Sequence, residues 1–447
     1  MNRVDIRVEP YLPSVAHTVV PYVFLILFAI GVIFSYWPGF LSPDSTTQLS
    51  QAISGSYSDH HPPMMALYWK LWLWWKIGPE PIFLTYQFLL FGSAFLLLNV
   101  LKGKNIRWIV PFIPLFPHIL LYSGAIWKDV GFAYTFLFSA MLLFSANFHN
   151  RKLSFLKSII IWLLLFYGTG VKYQALFVLP VMTLWFALTI FNDRSLIKKI
   201  GLWLVLWMSI LFSCQVLQKT VVSSIGENHS WQNVKLFDLA GMSVRLDKDL
   251  FPEFVRQAPE YTFEKMNNTY SPYRVDELIV GWAPGASLRP GETKEQRDIL
   301  WATWFQALKD HPMAYLSHRL AVWRMMVKRS PMKSLDDLTN VEALPSKIKY
   351  VLDVVGLQTL QVIKKLTYFI YYVPFLLFYF FLGLWNWRRK RIYALPLTMM
   401  TGSAIALMAA LFVFSMASDL RYIYLTMTFF HFSHPLAWLI LFGDKKG

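Results

Sequence analysis

The chain has 447 residues, of which 56% are hydrophobic and 15% are charged, whereas about a quarter of the residues in soluble domains are charged. This composition excludes an ordinary water-soluble globule and predicts an integral membrane protein. The net charge of +16 does not indicate nucleic-acid binding, because the basic residues form short clusters between apolar runs. The one cysteine, Cys214, excludes an intramolecular disulfide and cysteine-based zinc sites.

Apolar runs long enough to cross a membrane recur along the chain, since about 20 apolar residues in a helix span the hydrocarbon core. About ten runs reach this length, at 19–37, 82–100, 108–126, 130–147, 155–170, 173–191, 200–220, 366–386, 392–414 and 422–441. The run at 64–77 is shorter and carries Lys70 and Lys76, which predicts an interfacial helix. The sequence therefore predicts an all-α polytopic membrane protein.

The basic residues orient these predicted spans. If the N-terminus is cytoplasmic and 64–77 does not cross, the basic clusters around 102–107, 151–157, 194–199 and 388–391 all face the cytoplasm, as does the C-terminus. Cytoplasmic loops carry an excess of Lys and Arg, so the charge distribution supports this orientation.

Three regions follow from this pattern. Residues 1–220 form an N-terminal module of about seven spans, and residues 366–447 form a C-terminal module of about three. The region 221–365 is predicted to be a mostly helical extracytoplasmic domain. Its last part has apolar residues at helical spacing and predicts an amphipathic helix pair broken near His311 and Pro312.

The first outer loop, 38–63, contains the first candidate site residue. Ser42, Pro43 and Asp44 follow a membrane exit and have the pattern of a helix start, with Ser42 as the N-cap and Pro43 at the first helical position. The helix dipole favours the charged form of Asp44. Asp44 is a candidate catalytic carboxylate, and the alternative is that it only complements the helix N-terminus.

Asp59, His60 and His61 lie together in the same loop. Their side chains are suitable ligands for a divalent metal, but adjacent histidines point in different directions and no further ligand is specified. They could also hydrogen-bond a substrate, or provide only the polarity of a loop.

Lys128, Asp129, Lys172 and Arg421 all fall at predicted outer ends of spans. Ionisable groups near a membrane are functional candidates because burying a charge there is costly. The cations could neutralise the phosphate or diphosphate of a lipid, arginine through its planar fork and lysine as a point charge. The alternative is that they form local ion pairs.

The first loop resembles that of a known family. Asp44 follows the first span, a helical stretch runs to Gly55, and HPPM at 61–64 leads into YW at 68–69. This arrangement is similar to the first loop of the GT-C superfamily of membrane glycosyltransferases, above all the bacterial branch that modifies lipid A and lipopolysaccharide. The resemblance covers the first loop specifically and the ten-span plan loosely.

The resemblance implies transfer of a sugar, with inversion, from a polyprenyl-phosphate donor to a glycan, lipid or protein acceptor of the cell envelope. Asp44 would be the general base or would orient the acceptor, and Lys128, Lys172 and Arg421 would hold the phosphate. Asp129 would belong to the substrate site, while Asp59, His60 and His61 would position substrate or bind a metal. The outer domain would cover the site, and the protein would lie in a bacterial inner membrane.

Two other functions remain open at this point. A transporter or flippase of lipid-linked glycans would carry polar residues through the depth of its spans. A membrane acyltransferase would use His60 or His61 as its base.

Overall fold

The computed structural model describes residues 15–58, 61–149, 152–191, 194–222, 229–328, 368–389 and 391–443. Within these ranges the regular elements are helices, joined by a few isolated β-bridges. In chain order the helices are α1 (Val15–Tyr36), α2 (Pro43–Ser54), α3 (Met64–Lys70), α4 (Glu80–Val100), α5 (Pro117–Ser123), α6 (Lys128–Phe148), α7 (Phe155–Val171), α8 (Ala175–Ile190), α9 (Leu196–Val221), α10 (Gln232–Leu246), α11 (Glu253–Arg256), α12 (Phe263–Thr269), α13 (Lys294–Asp310), α14 (Pro312–Lys328), α15 (Val373–Asn386), α16 (Arg391–Phe414) and α17 (Tyr424–Phe442). Short 3-10 helices span Asn105–Leu115, Phe369–Tyr371 and Leu420–Ile423.

Seven of the described helices are long and apolar enough to cross a membrane: α1, α4, α6, α9, α15, α16 and α17. The candidate span of α1 starts at Val19, and the candidate spans of α15 and α17 include the 3-10 helices that precede them. An eighth candidate is the pair Asn105–Leu115 and Pro117–Ser123, which is bent by 46°. Two further apolar helices, α7 and α8, have 17 and 16 residues. The chain is thus a helical membrane protein. The ten predicted runs all fall on these elements, and membrane crossing by the bent pair, α7 and α8 stays a prediction.

The bend before α5 has a local cause. Pro114 and Pro117 lie on either side of Phe116, whose backbone is extended at ψ 135°. Proline lacks a backbone N–H and disfavours the helical conformation in the residue before it. The helix therefore ends at Leu115 and a new one begins at Pro117.

The bundle is organised around α6. Of the candidate spans, α6 and α17 are the most buried, at 83% and 78%, whereas only 6% of α9 is buried. Helix α6 packs against α4, α7, α8, α16 and α17. The N-terminus of α6, which carries Lys128 and Asp129, therefore lies at the centre of one end of the bundle.

The interfacial helix predicted at 64–77 is shorter than the sequence indicates, because α3 ends at Lys70. Beyond this point the backbone N–H groups of Leu71 and Trp72 bond to carbonyls three residues earlier, which closes the helix with tight turns. The Trp69 indole is fully buried and donates to the carbonyl of Gly78. This side-chain bond holds the turns against the start of α4.

Of the predicted outer domain at 221–365, the structure describes residues 221–222 and 229–328, and the remaining residues lie outside the described ranges. Helices α10 to α14 enclose their own apolar core, which includes Leu236, Phe237 and Met266. Helix α13 ends at Asp310 and α14 begins at Pro312, where the sequence predicts the break. Met326, at the other end of α14, belongs to the core of the membrane bundle. Helix α14 therefore joins the two cores.

A buried ionic network lies at this junction. Asp238 on α10 and Arg319 on α14 are fully buried, with Arg319 Nη2 2.6 Å from Asp238 Oδ1. Arg319 Nη1 also donates to the carbonyl of Ser415, which follows α16. The Trp304 indole donates to the second oxygen of Asp238 at 2.9 Å. These bonds connect α10, α13 and α14 with one another and with Ser415, which precedes the segment that leads to Arg421.

Candidate functional site

Backbone hydrogen bonds connect the first loop, just upstream of Asp44, to the residues that precede α6. The backbone N–H of Phe40 donates to the carbonyl of Gly124, and the N–H of Ile126 donates to the carbonyl of Phe40. Ser42 then caps α2 in a capping box with Ser45, and its hydroxyl accepts a hydrogen bond from the Trp127 indole at 2.9 Å. The predicted helix start is confirmed, and it holds the first turn of α2 beside Lys128.

Asp44 lies between Arg421 and His61. Its Oδ2 is 3.2 Å from Arg421 Nη1, and its Oδ1 is 3.7 Å from His61 Nε2. The side chain remains 33% exposed. Burial alone would raise the pKa of Asp44, but the charges of Arg421 and Lys128, with smaller contributions from His61 and Lys172, lower it to about 2. Asp44 is therefore ionised throughout the physiological range.

His61 connects Asp44 to Lys128. Its Nδ1 lies within hydrogen-bond distance of Lys128 Nζ, while its Nε2 faces Asp44. The imidazole is only 7% exposed. Among the described residues Lys128 pairs with His61 and with no carboxylate, so its charge is the least compensated of the three cations.

Lys172 is already neutralised by Asp129. Both side chains are almost completely buried, and Lys172 Nζ is in direct contact with Asp129 Oδ1. The ammonium also lies 4.3 Å from the centre of the Tyr422 ring. Removing one partner of such a buried pair destabilises a protein strongly, because the other charge is left buried and unpaired. The pair of Lys172 and Asp129 therefore holds the end of α7 against α6.

Arg421 bridges two carboxylates. Besides Asp44, its Nε lies 3.1 Å from Asp419 Oδ2, and its guanidinium is 5.0 Å from the centre of the Trp127 ring. The side chain is 20% exposed. Two acidic partners and an aromatic face hold the planar fork in one orientation, with part of it accessible.

The structure brings together six of the eight residues predicted for the site: Asp44, His61, Lys128, Asp129, Lys172 and Arg421. The other two, Asp59 and His60, lie outside the described residues. In the part of the chain that the structure describes, no group of three or more His, Cys, Asp or Glu side chains is placed to hold a metal ion. His61 is engaged by Asp44 and Lys128.

Sequence reasoning missed the aromatic residues Trp127 and Tyr422, whose rings face Arg421 and Lys172. Trp127 immediately precedes Lys128, and Tyr422 immediately follows Arg421, so an aromatic residue beside each of these cations was the available signal.

A second polar cluster lies deep in the bundle. His118 Nδ1 is 3.1 Å from His431 Nε2, His431 Nδ1 is 3.1 Å from His434 Nε2, and His434 Nδ1 is 3.0 Å from the Tyr379 hydroxyl. His431 lies ten residues after Arg421 on the same span, about 15 Å along the helix. Tyr379 and His434 also line a largely apolar cavity of about 620 Å³. This histidine chain is separate from the charged site.

Comparison of the chain with protein-family models, with curated proteins and with solved structures finds no match. The resemblance to membrane glycosyltransferases therefore stays a prediction from the residues of the first loop.

Proposed function

We propose that the protein is a membrane glycosyltransferase that moves a sugar from a polyprenyl-phosphate donor to a glycan, lipid or protein acceptor of the cell envelope. The observation that carries the proposal is the meeting of Asp44, His61, Lys128 and Arg421 at one end of the helical bundle. A carboxylate next to partly accessible cations suits a reaction in which a phosphate is the leaving group.

The cations have distinct parts in this reaction. Lys128 lacks a carboxylate partner among the described residues, and Arg421 is partly accessible, so these two would meet the donor phosphate. They would stabilise the charge that develops as the glycosidic bond breaks. Lys172, paired with Asp129, would support the site from behind. Asp44 would be the general base that takes the proton of the acceptor hydroxyl, or would orient that hydroxyl toward the anomeric carbon, for displacement with inversion.

The orientation of the protein is part of the proposal. Lys128 begins α6, Lys172 follows α7 and Arg421 precedes α17, so all three cations lie at the same end of the bundle. The basic clusters at 102–107 and 388–391 follow the opposite ends of α4 and α15. The positive-inside rule then assigns the site to the extracytoplasmic face of a bacterial inner membrane, with both termini in the cytoplasm and the outer domain over the site.

The test is transfer of a radiolabelled sugar from a polyprenyl-phosphate donor to an envelope extract by the purified full-length protein. The wild-type protein should form labelled product, and Asp44→Asn should reduce the rate by about 10²- to 10⁴-fold. Glu295→Gln, which neutralises an exposed acid in the first turn of α13, is the matched control. Absence of product with a panel of lipid-linked sugars would overturn the proposal.

The buried histidine chain favours a second candidate, a transporter or flippase of lipid-linked glycans. Polar groups deep within transmembrane helices are typical of transport pathways and proton relays. Proteoliposomes that hold a fluorescent polyprenyl-phosphate sugar distinguish the two functions. Movement of the lipid between leaflets without sugar transfer, lost in His431→Phe, would support the transporter.

A further inference from the structure

Helix α14 belongs to both apolar cores. Val322 is buried in the core of the outer domain, whereas Met326 and Val327, one turn later, are buried in the core of the membrane bundle. The helix also contacts α16 and the 3-10 helix Phe369–Tyr371, which begins the candidate span of α15. The C-terminal end of α14 is therefore packed against candidate membrane spans.

The side of α14 that faces away from these cores is apolar. Met313 is 74% exposed, and Leu316 and Leu320 are each 45% exposed. Residues spaced by three or four positions lie on one side of a helix, so these three side chains form one surface, the apolar face of α14. Leaving a leucine in water forgoes about 1.5–3 kcal/mol of burial free energy. A contiguous apolar surface of this kind is typical of a contact with a membrane or with another protein.

Hydrogen bonds to the end of α16 give the level of α14 relative to the membrane. Arg319 Nη1 donates to the carbonyl of Ser415 at 2.6 Å, and the Ser418 hydroxyl donates to the carbonyl of Val322 at 2.8 Å. Ser415 and Ser418 lie in the short connection between the candidate spans of α16 and α17. A connection between two consecutive spans marks one surface of the bilayer, so the middle of α14 lies at that surface.

The apolar face stays close to this level. Leu316 and Leu320 are at most three residues from Arg319, or about 4.5 Å along the helix axis, and Met313 is about 9 Å from it. The headgroup layer on each side of the hydrocarbon core is about 5–8 Å thick. The two leucines therefore lie at the level of the headgroup layer, and Met313 lies near its outer edge.

The basic residues that follow the apolar face favour lipid as its partner. Arg324 and Lys328 are both exposed. Long basic side chains lay their methylene groups along apolar surface and keep the charge at the headgroups, and helices that lie in a membrane interface combine leucine with basic residues. The interface between two copies of a protein is instead depleted in lysine.

We propose that the apolar face of α14 lies in the interfacial layer of the bilayer and anchors the outer domain to the membrane surface. This contact is independent of the proposed sugar transfer. It supports the outer domain at Leu316 and Leu320, in addition to the ion pair of Asp238 and Arg319 and the burial of Met326 in the bundle.

Spin labelling of the full-length protein in lipid nanodiscs tests this contact. The chain has one cysteine, Cys214, so Cys214→Ala gives a background in which Met313→Cys, Leu316→Cys and Leu320→Cys are labelled one at a time. The nanodiscs contain phosphatidylethanolamine and phosphatidylglycerol. Oxygen is enriched in lipid and a polar nickel chelate in water, so the ratio of their collision rates with each label reports its surroundings.

Two exposed positions calibrate this ratio. Phe212→Cys on α9, the least buried of the described candidate spans, is the lipid reference, and Glu295→Cys in the first turn of α13 is the water reference. Labels on the apolar face of α14 should give a ratio several-fold above that at Glu295 and close to that at Phe212. A ratio equal to that at Glu295 overturns the proposal, because water then covers the face. Low collision rates with both reagents also overturn it, since a protein surface such as a second copy then covers the face.

Discussion

Replacement of Asp44 by asparagine should affect activity far more than stability. The change removes the carboxylate that pairs with Arg421 and His61 but keeps its shape. The pKa of Asp44 is lowered from 3.8 to about 2, which corresponds to about 2–3 kcal/mol at about 1.4 kcal/mol per pKa unit. Because 33% of the side chain is exposed, solvent screening reduces its contribution to the free energy of unfolding to about 1 kcal/mol.

The assay compares thermal unfolding of Asp44→Asn and the wild-type protein in the same detergent, with sugar transfer measured on the same samples. The expected result is a midpoint lower by a few degrees and a rate lower by about 10²- to 10⁴-fold. Glu295→Gln should change neither quantity. Near-normal transfer would remove Asp44 from the mechanism, and a midpoint lowered as far as in a buried-pair variant would show that Asp44 is chiefly structural.

Three further predictions concern the charges around Asp44. Lys128→Ala should raise the KM for the donor about 10-fold or more, since a hydrogen bond to a charged group contributes about 1.5–3 kcal/mol; an unchanged KM in initial-rate measurements would contradict its phosphate role. Lys172→Met should lower the free energy of unfolding by about 3–5 kcal/mol because it leaves Asp129 buried and unpaired. The double variant Lys172→Met/Asp129→Leu should recover most of this loss in thermal unfolding. Absence of recovery would contradict the structural role of the Lys172–Asp129 pair. The ion pairs of Asp44 should contribute fully to the free energy of unfolding above pH 3.8, and this contribution should be lost as the pH falls through about 2, because the pKa of Asp44 is lowered in the folded state. The measurement compares the melting curves of the wild-type protein and Asp44→Asn at each pH. A loss of stability assigned to Asp44 between about pH 7 and pH 5 would contradict the prediction.

The sequence determined the membrane character of the chain and the positions of its helices. Apolar runs must form helices in a membrane because every backbone polar group there needs a partner, so run length was a sufficient guide to the helices at 82–100 and 392–414. The start of α2 was also predictable, since the capping pattern of Ser42 and Pro43 is local. The end of α3 at Lys70 was not predicted, since the apolar run continues beyond it while the chain turns so that the buried Trp69 indole bonds to the carbonyl of Gly78.

Only the tertiary structure decided which charges are paired. The sequence placed Lys128, Lys172 and Arg421 at the ends of helices, but the packing of α6 against α7 brings Lys172 to Asp129. Arg421 meets Asp44 because α17 packs against α6 while the Ser42–Trp127 bond holds the start of α2 beside α6. Helix formation follows from local patterns, whereas charge pairing depends on which helices pack together.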